Sequence, residues 1–164
     1  AQQALQEMRL LVYELRPQVL QSEGLVGALE HRLEAVERRA GITARMQTDI
    51  DIDMQQRFEE ELFHLSIEAL NNDLKHAAES EILLSLKSAE DILFWTVEDN
   101  GRGLDQDLAR SQGGMGISSM TERVEKIGGS LSIQSEIGVG TKISVRVPLH
   151  GKHITSTDNP EENI

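Results

Sequence analysis

Residues 68–76 read EALNNDLKH, and the reading of this stretch decides the fold. At 3.6 residues per turn, Glu68 and Asn72 are i, i+4 neighbours on one helix face. Lys75 and His76 lie one turn further along the same side, and His64 one turn before. Phe58, Leu62, Leu65, Ala69, Leu70 and Leu74 fill a broad apolar arc around the rest. The pattern predicts a helix from Gln55 to Ala77 with its apolar arc in a core. Its other face offers a carboxylate, a carboxamide oxygen, an ammonium and an imidazole. A carboxamide oxygen can ligate a hard cation such as Mg²⁺, and a carboxylate beside it can polarise a nucleophile. Taken alone, the same face also fits a solvated helix surface.

Working outward, Ala1–Leu15 carries apolar residues at helical spacing, and Pro17 ends it, because the residue before proline avoids α geometry. A break is expected from Pro17 to Glu23. A second helix is expected from Gly24 to Ala40, with Leu25, Ala28, Leu29, Leu33 and Val36 in one stripe and Gly41 at its end. Residues 42–52 alternate apolar and polar, as in a half-buried strand. Ile82–Ser88 and Ile92–Glu98 read as paired strands around a polar turn. After a glycine-rich loop, Met115–Ile127 reads as a helix stopped by Gly128-Gly129. Leu131–Ser135 and Thr141–Leu149 read as two more strands, and His150–Ile164 as a disordered polar tail. Neighbouring strands with short turns imply antiparallel pairs. The expected fold class is therefore α/β: a two-layer sandwich of a mixed, mostly antiparallel sheet covered on one face by helices.

Composition narrows the functions available. The chain of 164 residues is 38% hydrophobic and 27% charged, which allows a packed core and argues against global disorder. Its net charge of −12 argues against a nucleic-acid partner, which would need clustered Lys and Arg. Cysteine is absent, which excludes disulfides and thiolate metal sites. The sequence shows neither a signal peptide nor an apolar run long enough to span a bilayer, so a soluble, cytoplasmic polypeptide or a piece of a larger one is expected.

Three glycine clusters carry the remaining signal. Asp99-Asn100-Gly101-Arg102-Gly103 follows a strand, and alternate glycines let a backbone turn sharply beside a flat ligand, with Asp99 able to accept hydrogen bonds from an amino group. Gly113-Gly114-Met115-Gly116 precedes a helix, where exposed N–H groups and the macrodipole favour phosphate. Gly138-Val139-Gly140-Thr141 makes a tight turn and adds a hydroxyl. None matches a Walker A loop or the dinucleotide fingerprint.

The order of these pieces is more specific than any one of them. E-x-x-x-N, then D-x-G-x-G, then G-x-G before a helix, then G-x-G-T resembles the GHKL (Bergerat-fold) ATPases. "EALNNDLKHA", "VEDNGRGLD" and "GGMGISSMTERVEKIGGSLSIQSEIGVGTKISVRVP" resemble the N, G1, G2 and G3 boxes of NarL-type sensor histidine kinases. "LLVYELRP" resembles the end of that branch's second dimerisation helix. The resemblance spans residues 1–149. It implies an ATP-binding catalytic domain at 24–149, preceded at 1–23 by the end of a dimerisation helix and a linker, and followed by a tail at 150–164.

The resemblance further implies ATP and Mg²⁺ as cofactors, with Asn72 as the Mg²⁺ ligand. Glu68 would be the base or polariser near the γ-phosphate, with Lys75 and His76 near the phosphates. Asp99 would read the adenine amine, Gly101 and Gly103 would shape the adenine pocket, and Thr141 would support it. Residues 104–113 would form an ATP lid, with Gly114, Met115 and Gly116 on its phosphate side. The implied partners are the kinase's own dimerisation domain, in a homodimer, and a response regulator.

Two departures stand out. No histidine sits in the family's phosphoacceptor context, so the acceptor histidine is expected on another part of the kinase. Asp73 falls in the apolar arc, where an unpaired carboxylate would be costly. Alternatives remain: a degenerate nucleotide-binding or interaction module, or another GHKL protein such as an anti-sigma-factor serine kinase, which lacks an LRP-ended helix. Asp49, Asp51, Asp53 and Glu60 imitate an EF-hand spacing, but Met54 replaces its glycine and the Ile residues between the acids alternate as in a strand.

Overall fold

The computed structural model describes residues 17–50, 54–76, 81–103 and 115–149, the side chains of residues 73–76 and 115 excepted. The helix and tail expected at 1–15 and 150–164 lie outside the described residues. Among the described residues, three helices, α1 (Gln18–Ala40), α2 (Gln56–His76) and α3 (Met115–Lys126), are interspersed with five strands. The strands are β1 (Thr43–Asp49), β2 (Glu81–Ala89), β3 (Ile92–Asp99), β4 (Ser130–Glu136) and β5 (Gly140–Pro148). They form one sheet in the order β1-β2-β3-β5-β4.

β2–β3, β3–β5 and β4–β5 pair antiparallel, whereas β1 pairs parallel with β2. The parallel pair follows from α2, which lies between β1 and β2 in sequence and returns the chain to the same sheet end. The β2–β3 connection is only Glu90 and Asp91, both at positive φ (51° and 61°), the geometry of a type I′ hairpin turn.

The period of two along the strands builds the core. Ile82, Leu84, Leu86, Leu93, Trp95, Val97, Ile143, Val145 and Val147 are buried on one sheet face. The helices supply Leu25, Leu29, Leu33 and Val36 from α1, Leu62, Leu65, Ala69 and Leu70 from α2, and Met120 and Val124 from α3. The opposite face is polar and open: Arg146 stacks over Phe94 at 5.9 Å, and Lys142 pairs with Glu98 at 2.7 Å. One polar link crosses the core. Trp95 Nε1 donates to Ser66 Oγ (2.9 Å), and Ser66 Oγ donates to Leu62 O (2.7 Å), so the indole N–H is satisfied at full burial.

The expected break from Pro17 to Glu23 is narrower in the structure. Gln18–Glu23 is helical, anchored by Leu20 N and Gln21 N on Pro17 O, and only Gly24 (φ 70°, ψ −177°) interrupts the helix. Leu20 is fully buried in the same core, with Val19 packed against it, so this turn of helix is anchored on the folded unit. Asn71 Oδ1 accepts a 2.6 Å bond from Arg32 Nη2, tying α1 to α2.

Candidate functional site

α2 and α3 meet along a polar seam at the turn that carries Glu68 and Asn72. Ser119 Oγ donates to Glu68 Oε2 at 3.0 Å. The Arg123 guanidinium donates from Nη1 to Glu61 Oε2 at 3.1 Å, and its Nε lies 4.0 Å from Glu68 Oε2. The second distance is too long for a hydrogen bond but close enough for charge attraction. At the C-terminal end of α3, Arg57 donates to the Lys126 carbonyl, so α2 also satisfies an orphan acceptor of its neighbour. The seam thus sets the axial register of the two helices as well as their separation.

Gly116, one residue into α3, faces Glu68 and Asn72. A methyl group added there would come within 2.9 Å of Asn72 Nδ2, 3.5 Å of Glu68 Oε1 and 3.6 Å of Asn72 Oδ1. Carboxylate and carboxamide therefore converge on the backbone at the start of a helix, where N–H groups and the positive dipole end favour an anion. Burial pushes the Glu68 carboxyl above the usual carboxylate range, while the Ser119 bond and the Arg123 charge pull it back. His64, a turn earlier, moves the other way. Burial and then Arg123 lower its value, against Glu61 and Glu60.

The second candidate region is at the end of the sheet. Asp99 pairs with Thr141 across β3–β5, and Thr141 with Ser135 across β4–β5. These three polar residues terminate the apolar rows of their strands. Asp99 Oδ1 accepts the Gly101 N–H at 2.7 Å, which fixes the carboxylate over its own loop. The Ser135 and Thr141 hydroxyls share a 2.8 Å bond, with Thr141 buried. Asn100 pins the loop to β2 through Glu81 N (2.6 Å), and Gly138 N donates to Arg102 O (2.8 Å). A concavity of about 520 Å³ opens at this sheet end, lined by Asp99, Ser135 and Thr141 among others.

Glycine is obligatory at two points of this junction. Gly140 has φ 135°, and a Cβ there would sit 2.0 Å from Asp99 O. Gly103 has φ 70°, and a Cβ there would sit 2.1 Å from Glu136 O. Backbone packs directly on backbone, which no side chain can accommodate by rotating.

Of the residues singled out from sequence, the structure brings Glu68, Asn72 and Gly116 together on the α2–α3 face. It brings Asp99, Gly101, Gly103 and Thr141 together at the sheet end. Gly114 and the expected lid lie outside the described residues. So do the side chains of Asp73, Lys75, His76 and Met115. Sequence reasoning missed Ser119, Arg123 and Ser135. The one signal for the first two was their i, i+4 spacing beside the buried Met120 and Val124.

Comparison with known proteins decides the family. The model of the histidine kinase-, DNA gyrase B- and HSP90-like ATPases matches residues 58–151, more than half of the chain. The chain belongs to this family. The sensor histidine kinase LiaS of Bacillus subtilis is 34% identical over 150 residues, covering 91% of this chain and 41% of LiaS. The signal transduction histidine-protein kinase/phosphatase DegS of the same organism is 34% identical over 140 residues, covering 82% of this chain and 36% of DegS. Among solved structures, the histidine kinase domain of a blue-light activated histidine kinase from Erythrobacter litoralis superposes with a TM-score of 0.64 at 27% identity, over 74% of this chain and 59% of that one. The α/β fold and the sensor-kinase type of ATPase domain are thereby settled. The chain spans well under half the length of these two curated relatives. No helix among the described residues is long and apolar enough to cross a membrane.

Proposed function

We propose that this chain is the catalytic domain of a sensor histidine kinase, binding ATP with Mg²⁺ and passing the γ-phosphoryl group to a histidine on the kinase's dimerisation domain, for relay to a response regulator. In this reading an imidazole nitrogen attacks the γ-phosphorus, the bond to the β,γ-bridging oxygen breaks, and ADP leaves with that oxygen. Such transfer depends on positioning and charge neutralisation more than on covalent chemistry by the protein.

The observation that carries the reading is the convergence of Glu68 Oε1 and the Asn72 carboxamide on the first turn of α3. The donor set fits the metal: an uncharged carboxamide oxygen beside a carboxylate suits a hard, oxygen-seeking cation that keeps most of its waters. A Mg²⁺ held by Asn72 would neutralise phosphate charge. Glu68, with its proton affinity raised by burial, would accept a hydrogen bond from the attacking imidazole and polarise it. Lys75 and His76 follow on the same helix and would approach the phosphates. At the sheet end, Asp99 keeps Oδ1 on Gly101 and would offer Oδ2 to the adenine amine. Gly101 and Gly103 would shape that pocket, and Thr141 would support it.

The test is titration of a non-hydrolysable ATP analogue with and without Mg²⁺, followed by transfer of labelled γ-phosphate to a supplied dimerisation domain. Binding strengthened by Mg²⁺, and label on the supplied histidine, are expected. Binding without transfer would point to a degenerate nucleotide-binding module, and no binding would refute the ATP site.

A further inference from the structure

We propose that Ser119 and Arg123 of α3 are positioning residues for Glu68, holding one oxygen of its carboxylate so that the other is presented beside Asn72. This rests on the phosphotransfer reading of the α2–α3 face and adds two residues to which the resemblance gave no role.

The geometry divides the two carboxylate oxygens. Oε2 takes both α3 partners: the Ser119 hydroxyl at 3.0 Å and the Arg123 Nε at 4.0 Å. Oε1 is the oxygen that faces Gly116, on which the Asn72 carboxamide also converges. A glutamate has three side-chain torsions, and on a helix surface it would spread over several rotamers. Two partners on the same oxygen remove much of that freedom and fix where the other lone pairs point.

Arg123 is itself held. Its Nη1 bonds Glu61 Oε2 at 3.1 Å, and the side chain keeps only 20% of its accessible surface. The planar guanidinium can therefore span two carboxylates two turns apart on α2 in one fixed orientation, which a lysine ammonium on a flexible stem cannot. Ser119 and Arg123 are one turn apart on α3, so the seam is an interleaved ladder: Glu61, Arg123, Glu68, Ser119. Rigid elements that lock a functional side chain through such partners are what place a reacting group within a fraction of an ångström.

A purely structural ion pair predicts a different outcome from a positioning one. Steady-state phosphotransfer to a supplied dimerisation domain is measured for Arg123→Met, Arg123→Lys, Ser119→Ala and Ser119→Thr, alone and combined with Glu68→Gln. Melting temperature confirms folding. Arg123→Met should lower kcat about 10- to 100-fold, and Ser119→Ala about 3- to 10-fold, each with KM for ATP within about twofold of the parent. Ser119→Thr, which keeps the hydroxyl, should recover most of kcat, and Arg123→Lys should not. In the Glu68→Gln background neither change should lower kcat further, because an effect routed through Glu68 has no carboxylate left to act on. Parental kcat in the folded single variants would overturn the inference alone, as would equal losses in the Glu68→Gln background. If Arg123→Met fails to fold, Ser119→Ala and its threonine rescue still decide. A parent with no phosphotransfer would overturn the functional reading, and this inference with it.

Discussion

The two halves of the candidate site are built from different materials. At the sheet end, the chain from Asp99 to Gly103 lies against the β4–β5 turn with backbone touching backbone, and glycines make the contact possible. On the α2–α3 face, side chains do the holding: a serine, an arginine and two glutamates span two helices. The first construction tolerates almost no substitution but needs no electrostatic tuning. The second tolerates changes of shape, yet the Arg123 charge in it acts on both Glu68 and His64. A rigid pocket for a flat base and a tunable wall for phosphate chemistry are reasonable uses of the two.

The sharpest way to break the comparison is at Gly140. Gly140→Ala must find room for a Cβ placed 2.0 Å from a carbonyl oxygen, at a φ of 135° that only glycine adopts readily. A loss of about 3–5 kcal/mol is expected, read by chemical denaturation, together with loss of nucleotide binding. Gly116→Ala gives the contrast. Its new methyl first meets the ends of the Asn72 and Glu68 side chains, which can shift, so the fold should survive with a much smaller change in stability. Equal losses at the two glycines would dissolve the distinction.

Glu68→Gln tests the other half. Phosphotransfer should fall by about 10²- to 10⁴-fold, while affinity for the Mg²⁺–ATP analogue changes little. Stability should move in the opposite direction. Burial raises the folded-state value of this carboxyl, so its contribution is fully present below the unfolded value near 4.5 and is lost as pH rises through the higher folded value. The parent should therefore gain stability relative to the glutamine variant as pH is lowered into the carboxylate range. Melting curves of the two proteins from pH 7 to pH 4 would show the gap closing, and a gap constant with pH would mean that Glu68 is not desolvated. A functional carboxylate that costs stability at neutral pH is a common trade.

Asp99→Asn is expected to have a smaller effect. The amide oxygen can keep the bond to Gly101 N, so the loop should hold, but the charge offered to the adenine amine is gone. Affinity for the ATP analogue should fall about 10- to 100-fold, the range for a hydrogen bond to a charged group. An unchanged dissociation constant in calorimetry would remove Asp99 from the adenine-binding role.

The same contrast explains what the sequence revealed. Glycines at a backbone-on-backbone junction are visible as D-x-G-x-G and G-x-G-T, because the constraint acts on residue type at fixed spacing. The apolar stripes of α1 and α2 and the alternation over residues 42–52 were legible for the same reason. Ser119 and Arg123 were not. Periodicity says which face of α3 is buried, but not that Glu61 and Glu68 of another helix lie across from its polar flank. The helical turn at Gln18–Glu23 was hidden by Pro17, which reads as a breaker, and was recovered only through the burial of Leu20. The parallel pairing of β1 depends on where α2 delivers the chain, which no local pattern encodes.

His64 gives the mildest and most diagnostic probe of the tunable half. It stands on α2 beside Glu61 and Glu60, with its ring edge-on to Phe63 at 5.8 Å and the Arg123 charge nearby. Burial and that guanidinium depress its value below 6.5, so the unfolded chain takes up its proton first as pH falls. Stability should therefore decline as pH drops through 6.5, and level off once pH lies below the folded value. Melting temperatures at pH 7.5 and 5.5 for the parent and His64→Gln isolate the effect, since the difference at pH 7.5 removes the packing contribution of the ring. The parent should lose more on acidification. Repeating the pair in an Arg123→Met background should shrink that excess, because one of the two causes of the depression is then gone. An excess that persists undiminished would mean that burial alone sets the histidine, and that the guanidinium is electrostatically confined to the carboxylates it touches.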